Sequence, residues 1–144
     1  VLKKKQNLVN KRDLFNLKDE VIKSLVEQKF LNDSYYSDAK SKVFLRRGYS
    51  INKIRYALIK KGIDSKYIKQ SISKIKENEA DPDFFSAIKI CKKKRIGPNR
   101  EESNRELFYK KDISLLARSG FSYDTSKKVL DMTKDEFNRF CKVI

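Results

Sequence analysis

The chain has 144 residues, 39% hydrophobic and 38% charged, with no histidine, two cysteines and a formal net charge of +16. That length suits one domain, or a few small modules sharing a core, and the high charge content implies a thin core and an extensive surface. The missing histidine excludes Ser–His and Cys–His nucleophile pairs, and Cys91 and Cys141 lack the CxxC or CxxH spacing of a zinc site.

No apolar run approaches a membrane span, and the charged amino terminus does not read as a signal peptide. Val1 is not a methionine, so a preceding part of the full protein is open. Thiols in a chain without an export signal fit a reducing cytoplasm. No Walker loop or dinucleotide fingerprint occurs, and paired acids such as Glu101-Glu102 and Asp135-Glu136 fall at helix starts, where they complement the dipole. The expectation is a protein that is not an enzyme, with no catalytic, metal or cofactor site.

The positive charge is spread along the chain. Residues 1–31 carry +4, residues 32–79 carry +7, residues 83–130 carry +6, and residues 131–144 are neutral. One reading is a surface that faces a polyanion. The other is compositional: lysine outnumbers arginine 26 to 9 beside abundant Asn, Ile, Phe and Tyr, as AT-rich coding would give.

In chain order, the first predicted helix covers about Leu17–Lys29, with Val21, Ile22, Leu25 and Val26 as its apolar stripe. Asn16 followed by Asp19 and Glu20 is its start signal. Asp33 is read as the cap of a helix through Arg47, with Tyr36, Ala39, Val43 and Phe44 on one face. Ser50 caps a helix carrying Ile51, Ile54 and Leu58, and Asp64 caps one carrying Ile68, Ile72 and Ile75. Residues 77–82 form a linker, with Asp81 as cap and Pro82 in the first turn of the next helix. Phe84, Ile88 and Cys91 make a stripe ending near Gly97, and residues 99–104 read as a polar loop. A helix over 105–119 carries Leu107, Phe108, Leu115 and Leu116, and Ser122 opens a helix with Val129 and Leu130. Thr133 to Glu136 is a capping box before a terminal helix with Phe137, Phe140, Cys141 and Ile144 on one face.

One corner recurs three times: Gly48-Tyr49-Ser50, Gly62-Ile63-Asp64 and Gly120-Phe121-Ser122. A glycine stops one helix in the left-handed region, an apolar residue packs at the junction, and a cap residue starts the next helix. With the parallel entries Asp33-Ser34-Tyr35-Tyr36-Ser37 and Asp83-Phe84-Phe85-Ser86, this predicts an all-α fold of tandem three-helix repeats with a period near 50 residues, forming an elongated, curved array. The expected divisions are a partial first repeat at 1–31, a second repeat at 32–79, and a third at 83–144 with a C-terminal capping helix.

Phe30 to Ala39, then Arg47-Gly48-Tyr49-Ser50, Ile54-Arg55, Leu58 and Lys60-Lys61-Gly62-Ile63 resemble the core motif of the RecX family. Gly120-Phe121-Ser122-Tyr123 with Val129-Leu130 is similar to the family's closing motif. Lys29 departs from the pattern, standing where a glycine usually precedes the Leu-Asn-Asp run. The resemblance implies a monomeric cytoplasmic regulator that binds the RecA recombinase filament. It implies inhibition of RecA's ATPase, strand exchange and filament growth, in homologous recombination, DNA repair and the SOS response. The runner-up reading is a stand-alone, non-sequence-specific DNA-binding module of short helices.

The candidate contacts to partner or DNA phosphates are the basic clusters. These are Arg46, Arg47, Lys53, Arg55, Lys60 and Lys61, and then Lys92, Lys93, Lys94 and Arg95. Lys53 and Lys60 are seven apart and share a helical face away from Ile51, Ile54 and Leu58. The run at 92–95 also complements a helix C-terminus. Tyr35, Tyr36 and Tyr49 are candidates for stacking on bases, or for packing beside the apolar stripes.

Overall fold

The computed structural model describes residues 2–144, with side chains from Asp13 onward except Phe30. The chain is all-helical: eight α-helices and one 3-10 turn, with no strand among the described residues. It divides into two compact units, residues 1–36 and 37–144.

Helix α1 runs Leu2–Arg46 without interruption. The expected helix boundary at residues 30–33 is therefore absent. Nothing in 2–46 is glycine or proline, so the two residue types that most readily stop or break a helix do not occur there. Asn32, Asp33 and Ser34 are good cap types, but inside a helix each only lowers propensity by a fraction of about 1 kcal/mol. Lys29, where the family pattern has glycine, is compatible with this continuity. In the first unit Leu14, Phe15, Leu17, Val21, Ile22, Leu25 and Val26 are all at least half exposed. Their spacing puts them on one broad side of the helix, as the periodicity predicted.

The second unit begins with the last turns of α1. It continues with α2 (Ile51–Lys60), α3 (Ser65–Asn78), α4 (Pro82–Lys94), the 3-10 turn Gly97–Asn99, α5 (Glu102–Leu107), α6 (Tyr109–Arg118), α7 (Tyr123–Leu130) and α8 (Lys134–Val143). The three corners are built as their sequence implies. Gly48, Gly62 and Gly120 have φ of +90°, +77° and +91°. At each corner the glycine N–H donates three residues back (to Leu45, Ile59 and Ala117), and the apolar residue's N–H donates five back (to Phe44, Leu58 and Leu116). That pair of bonds is the Schellman stop. Ser50, Asp64 and Ser122 then accept from Lys53, Lys66 and Thr125 N–H, starting the next helices.

In α2, α3, α4 and α7 burial follows the predicted stripes. Ile51, Ile54, Leu58, Ile68, Ile72 and Ile75 form one core, with Phe44, Tyr49 and Ile63 packed against it. Phe84, Ile88, Cys91, Leu116, Phe121, Val129, Leu130 and Phe137 belong to a second. Each fully buried side chain of this size contributes about 1.5–3 kcal/mol relative to exposure. Polar groups join α1 to α3 as well: Ser71 Oγ donates to Asp38 Oδ1 at 2.6 Å, and Lys74 Nζ lies 2.6 Å from Asp38 Oδ2.

The segment after Gly97 departs from expectation. The single helix expected over 105–119 is two, α5 and α6, meeting at Phe108, and Leu107 is 74% exposed rather than part of the core. Asp112, 1% exposed, is the centre of this segment. It takes both arms of the Arg100 guanidinium at 2.8 Å each and accepts the Gly97 N–H at 2.9 Å. Arg100 lies 4.4 Å from the Phe108 ring centroid. Arg105 donates to the Leu130 carbonyl at 2.8 Å and also to that of Met132. The polar stretch is thus fixed by charge-assisted bonds onto the end of α7.

Candidate partner-binding surface

All ten candidate cations are exposed and lie in the second unit. Arg46 ends α1, and Arg47 follows it at the Gly48 corner. Lys92, Lys93 and Lys94 form the last turn of α4. Arg46, Arg47, Lys92 and Lys93 line one cleft of 460 Å3 together with Lys89 and Ile144. Two clusters far apart in sequence therefore meet. The Gly48 corner explains how, because a Cβ there would lie 3.2 Å from Lys89 Cβ and 3.3 Å from the Ser86 carbonyl oxygen. Both distances are tighter than ordinary contact, so glycine eases the close approach of the end of α1 to α4. Lys89, which sequence reasoning did not select, also donates to the Leu45 carbonyl at 3.4 Å. Among the described residues, no carboxylate is within salt-bridge distance of Arg46, Arg47, Lys92 or Lys93.

Lys53 sits elsewhere. It lines a separate cleft of 280 Å3 with Asn52, Tyr56, Arg118, Ser119 and Gly120. Three hydrogen bonds hold α2 at this place. Ser50 Oγ donates to Ser119 O at 2.7 Å, Asn52 Nδ2 donates to Gly120 O at 3.2 Å, and Asp83 Oδ1 accepts the Ile51 N–H at 2.8 Å. Arg55 Nη1 donates to Asn52 Oδ1 at 3.2 Å, and Lys60 Nζ lies 5.9 Å from the Tyr56 ring centroid. The six cations at 46–61 are therefore not one face. Lys61, Lys94 and Arg95 are exposed but line neither cleft. Arg95 is instead the stop of α4, with φ of +55° and the Ile96 N–H donating to Cys91 O at 3.1 Å.

The tyrosines divide between packing and exposure. Tyr49 is partly buried and stacked on Phe44 at 4.9 Å, with Lys53 Nζ 4.2 Å from its centroid. It is a packing residue. Tyr36 is partly buried, and Tyr35 is 77% exposed in the first unit. Tyr56, 67% exposed, was missed. Its signal lay in the sequence, three residues after Lys53 and four before Lys60.

The two thiols differ in burial, Cys91 being buried and Cys141 partly so. Burial pushes Cys91 up to about 12, with the Asp112 charge and Cys141 adding to it, and burial also raises Cys141. A thiolate is the reactive form, so such a cysteine is inert. Among the described residues no cluster of acids and cysteines has the arrangement of a metal site, and no helix is long and apolar enough to cross a membrane.

The chain is 31% identical over 115 residues to Regulatory protein RecX of Myxococcus xanthus (strain DK1622), covering 78% of this chain and 60% of that protein. It is 33% identical over 135 residues to Regulatory protein RecX of Clostridium botulinum (strain Eklund 17B / Type B), covering 88% and 60%. The chain belongs to the RecX family. A third relative, from Clostridium perfringens (strain SM101 / Type A), is 29% identical over 117 residues, and 53% of it is covered. This RecX-family chain thus spans 53–60% of the length of these curated relatives. No family model matches the chain, and no solved structure matches it.

Proposed function

We propose that this chain acts as a RecX-type regulator, not an enzyme, that binds the filament of the recombinase RecA and restrains it. The observation that carries the reading is the alignment with proteins named Regulatory protein RecX over 78–88% of the chain. Binding along the filament would depress RecA's ATPase, strand exchange and filament growth, and so modulate recombination, DNA repair and the SOS response. The protein is a cytoplasmic monomer in this reading.

The architecture behind it is a set of tandem three-helix repeats, with a partial repeat at 1–31, one at 32–79 and one at 83–144 that ends in a capping helix. The three Schellman corners, and the caps Asp64 and Ser122 that follow the corresponding corners at Gly62 and Gly120, support it. An elongated, curved array of this kind offers a long face able to reach neighbouring filament protomers. The cleft of Arg46, Arg47, Lys89, Lys92 and Lys93 is its contact to anionic groups, either phosphates of filament DNA or acidic patches of RecA. Co-sedimentation with RecA filaments, with and without single-stranded DNA, tests the reading. Pelleting that depends on RecA is the expected result, and pelleting equal to that with naked DNA alone opposes it.

A further inference from the structure

We propose that the junction of α2 with the corner between α6 and α7 is a gripping site for single-stranded nucleic acid, with Tyr56 as its stacking platform. This goes beyond the regulator reading and does not require RecA.

A single exposed tyrosine is ordinary on a protein surface. The company of Tyr56 is not. It lies on the outer face of α2, opposite buried Ile51, Ile54 and Leu58. One turn before it are Asn52 and Lys53, and one turn after it is Lys60. Arg118 comes from α6 to line the same cleft, and Arg55 is held beside Asn52. No carboxylate lines the cleft, and α2 carries none. An aromatic ring open to solvent with cations on neighbouring turns is the arrangement that holds a single strand: bases stack and the backbone follows the positive charge.

The parts are fixed before any ligand arrives. Asn52 is tied to the Gly120 carbonyl and Ser50 to that of Ser119, so the α2 face and Arg118 share one rigid corner. Preorganisation of this kind reduces what binding must order. A paired strand is disfavoured as the ligand, since its base faces are covered by neighbours and offer Tyr56 nothing to stack on. An acidic protein segment would use the cations but not the ring.

The test is fluorescence anisotropy of a labelled short oligothymidylate, a duplex of equal length and a labelled polyglutamate, at low and moderate salt, without RecA. Wild type should bind the single strand more tightly than the other two. Tyr56→Ala should weaken single-strand binding roughly 5- to 150-fold, the usual range for loss of one base stack. Tyr56→Phe should stay within about twofold, because stacking needs the ring and not the hydroxyl. Arg118→Gln should flatten the logarithmic salt slope by about 0.7, the single-strand value per phosphate neutralised. Both residues are exposed, so circular dichroism should be unchanged. No single-strand binding, or equal affinity of wild type and Tyr56→Ala, would overturn the proposal. So would an equal Tyr56→Ala loss on duplex or polyglutamate, or a Tyr56→Phe loss as large as that of alanine. RecA inhibition that persists in any of these cases would leave the regulator reading standing.

Discussion

Gly62→Ala and Gly120→Ala make the same chemical change at two copies of the same corner, yet the structure predicts unequal costs. At Gly62 an added Cβ meets nothing within 4 Å. Its cost is the left-handed backbone alone, about 1–2 kcal/mol, offset by about 0.4–1 kcal/mol from the stiffer unfolded chain. The net loss is about 1 kcal/mol. At Gly120 the Cβ would lie 2.5 Å from Ser50 Oγ and 3.3 Å from Asn52 Cβ. Ser50 must then move, and it both caps α2 and donates to Ser119 O. Losing the cap costs about 1 kcal/mol and losing the hydrogen bond about 1 kcal/mol more. The total at Gly120 is about 3 kcal/mol. Equilibrium urea unfolding measures both, provided the m-value holds steady. In the Ser50→Ala background the obstructing oxygen is gone, so the Gly120→Ala penalty should fall close to that of Gly62→Ala. Equal losses at the two glycines in wild type, or no coupling to Ser50, would refute the claim that the Gly120 corner is docked on α2.

Asp112→Ala strands the Arg100 guanidinium and the Gly97 N–H in a half-buried setting, and should lower stability by about 3 kcal/mol in the same urea assay. Asp38 gives a pH dependence. Burial alone would raise its carboxyl, but the hydrogen bonds from Lys74 and Ser71 and the charges of Lys74 and Lys42 outweigh that and hold it below its ordinary value of 3.8. A depressed folded-state value means stability that is present above pH 3.8 and lost as pH falls through the folded value. Burial shifts Asp83 the other way, so its contribution weakens as pH rises above 3.8. Asp38→Asn should therefore flatten the acid limb of the stability profile, while Asp83→Asn should steepen it; thermal melts from pH 3 to 6 read both. Replacing Arg46, Arg47, Lys92 and Lys93 with glutamine should weaken filament binding with helicity intact. If these cations neutralise phosphates of the filament's single strand, the logarithmic salt slope should flatten by about 0.7 for each phosphate no longer neutralised. The same change at Lys61, Lys94 and Arg95 should have little effect, measured by co-sedimentation across a salt series.

The helical class, the corners and most of the core were legible in the sequence because each rests on local chemistry. Glycine at a stop, serine or aspartate at a start, and apolar residues at spacings of three and four act within one or two turns. The continuity of α1 was legible only in the absence of glycine and proline from 2–46, a signal outweighed by cap-type residues at 32–34 that look the same whether or not the chain turns there. The break at Phe108 depends on Arg100, Asp112 and Arg105 finding partners up to 27 residues away, which periodicity does not record. The basic residues were visible as types, but their grouping was not. Lys89 and Arg118 join the clefts where helices distant in sequence approach at the Gly48 and Gly120 corners. Tyr56 was legible in principle, from its spacing to Lys53 and Lys60, once its side of α2 was known to face water.

The central claim, that this RecX-family chain restrains RecA, is tested most directly by RecA's single-strand-dependent ATP turnover during titration with the protein. Turnover should fall in a saturable way as the protein is added, and the Arg46, Arg47, Lys92 and Lys93 variant should need more protein for the same inhibition. Turnover that stays constant at protein concentrations well above that of RecA would contradict the account.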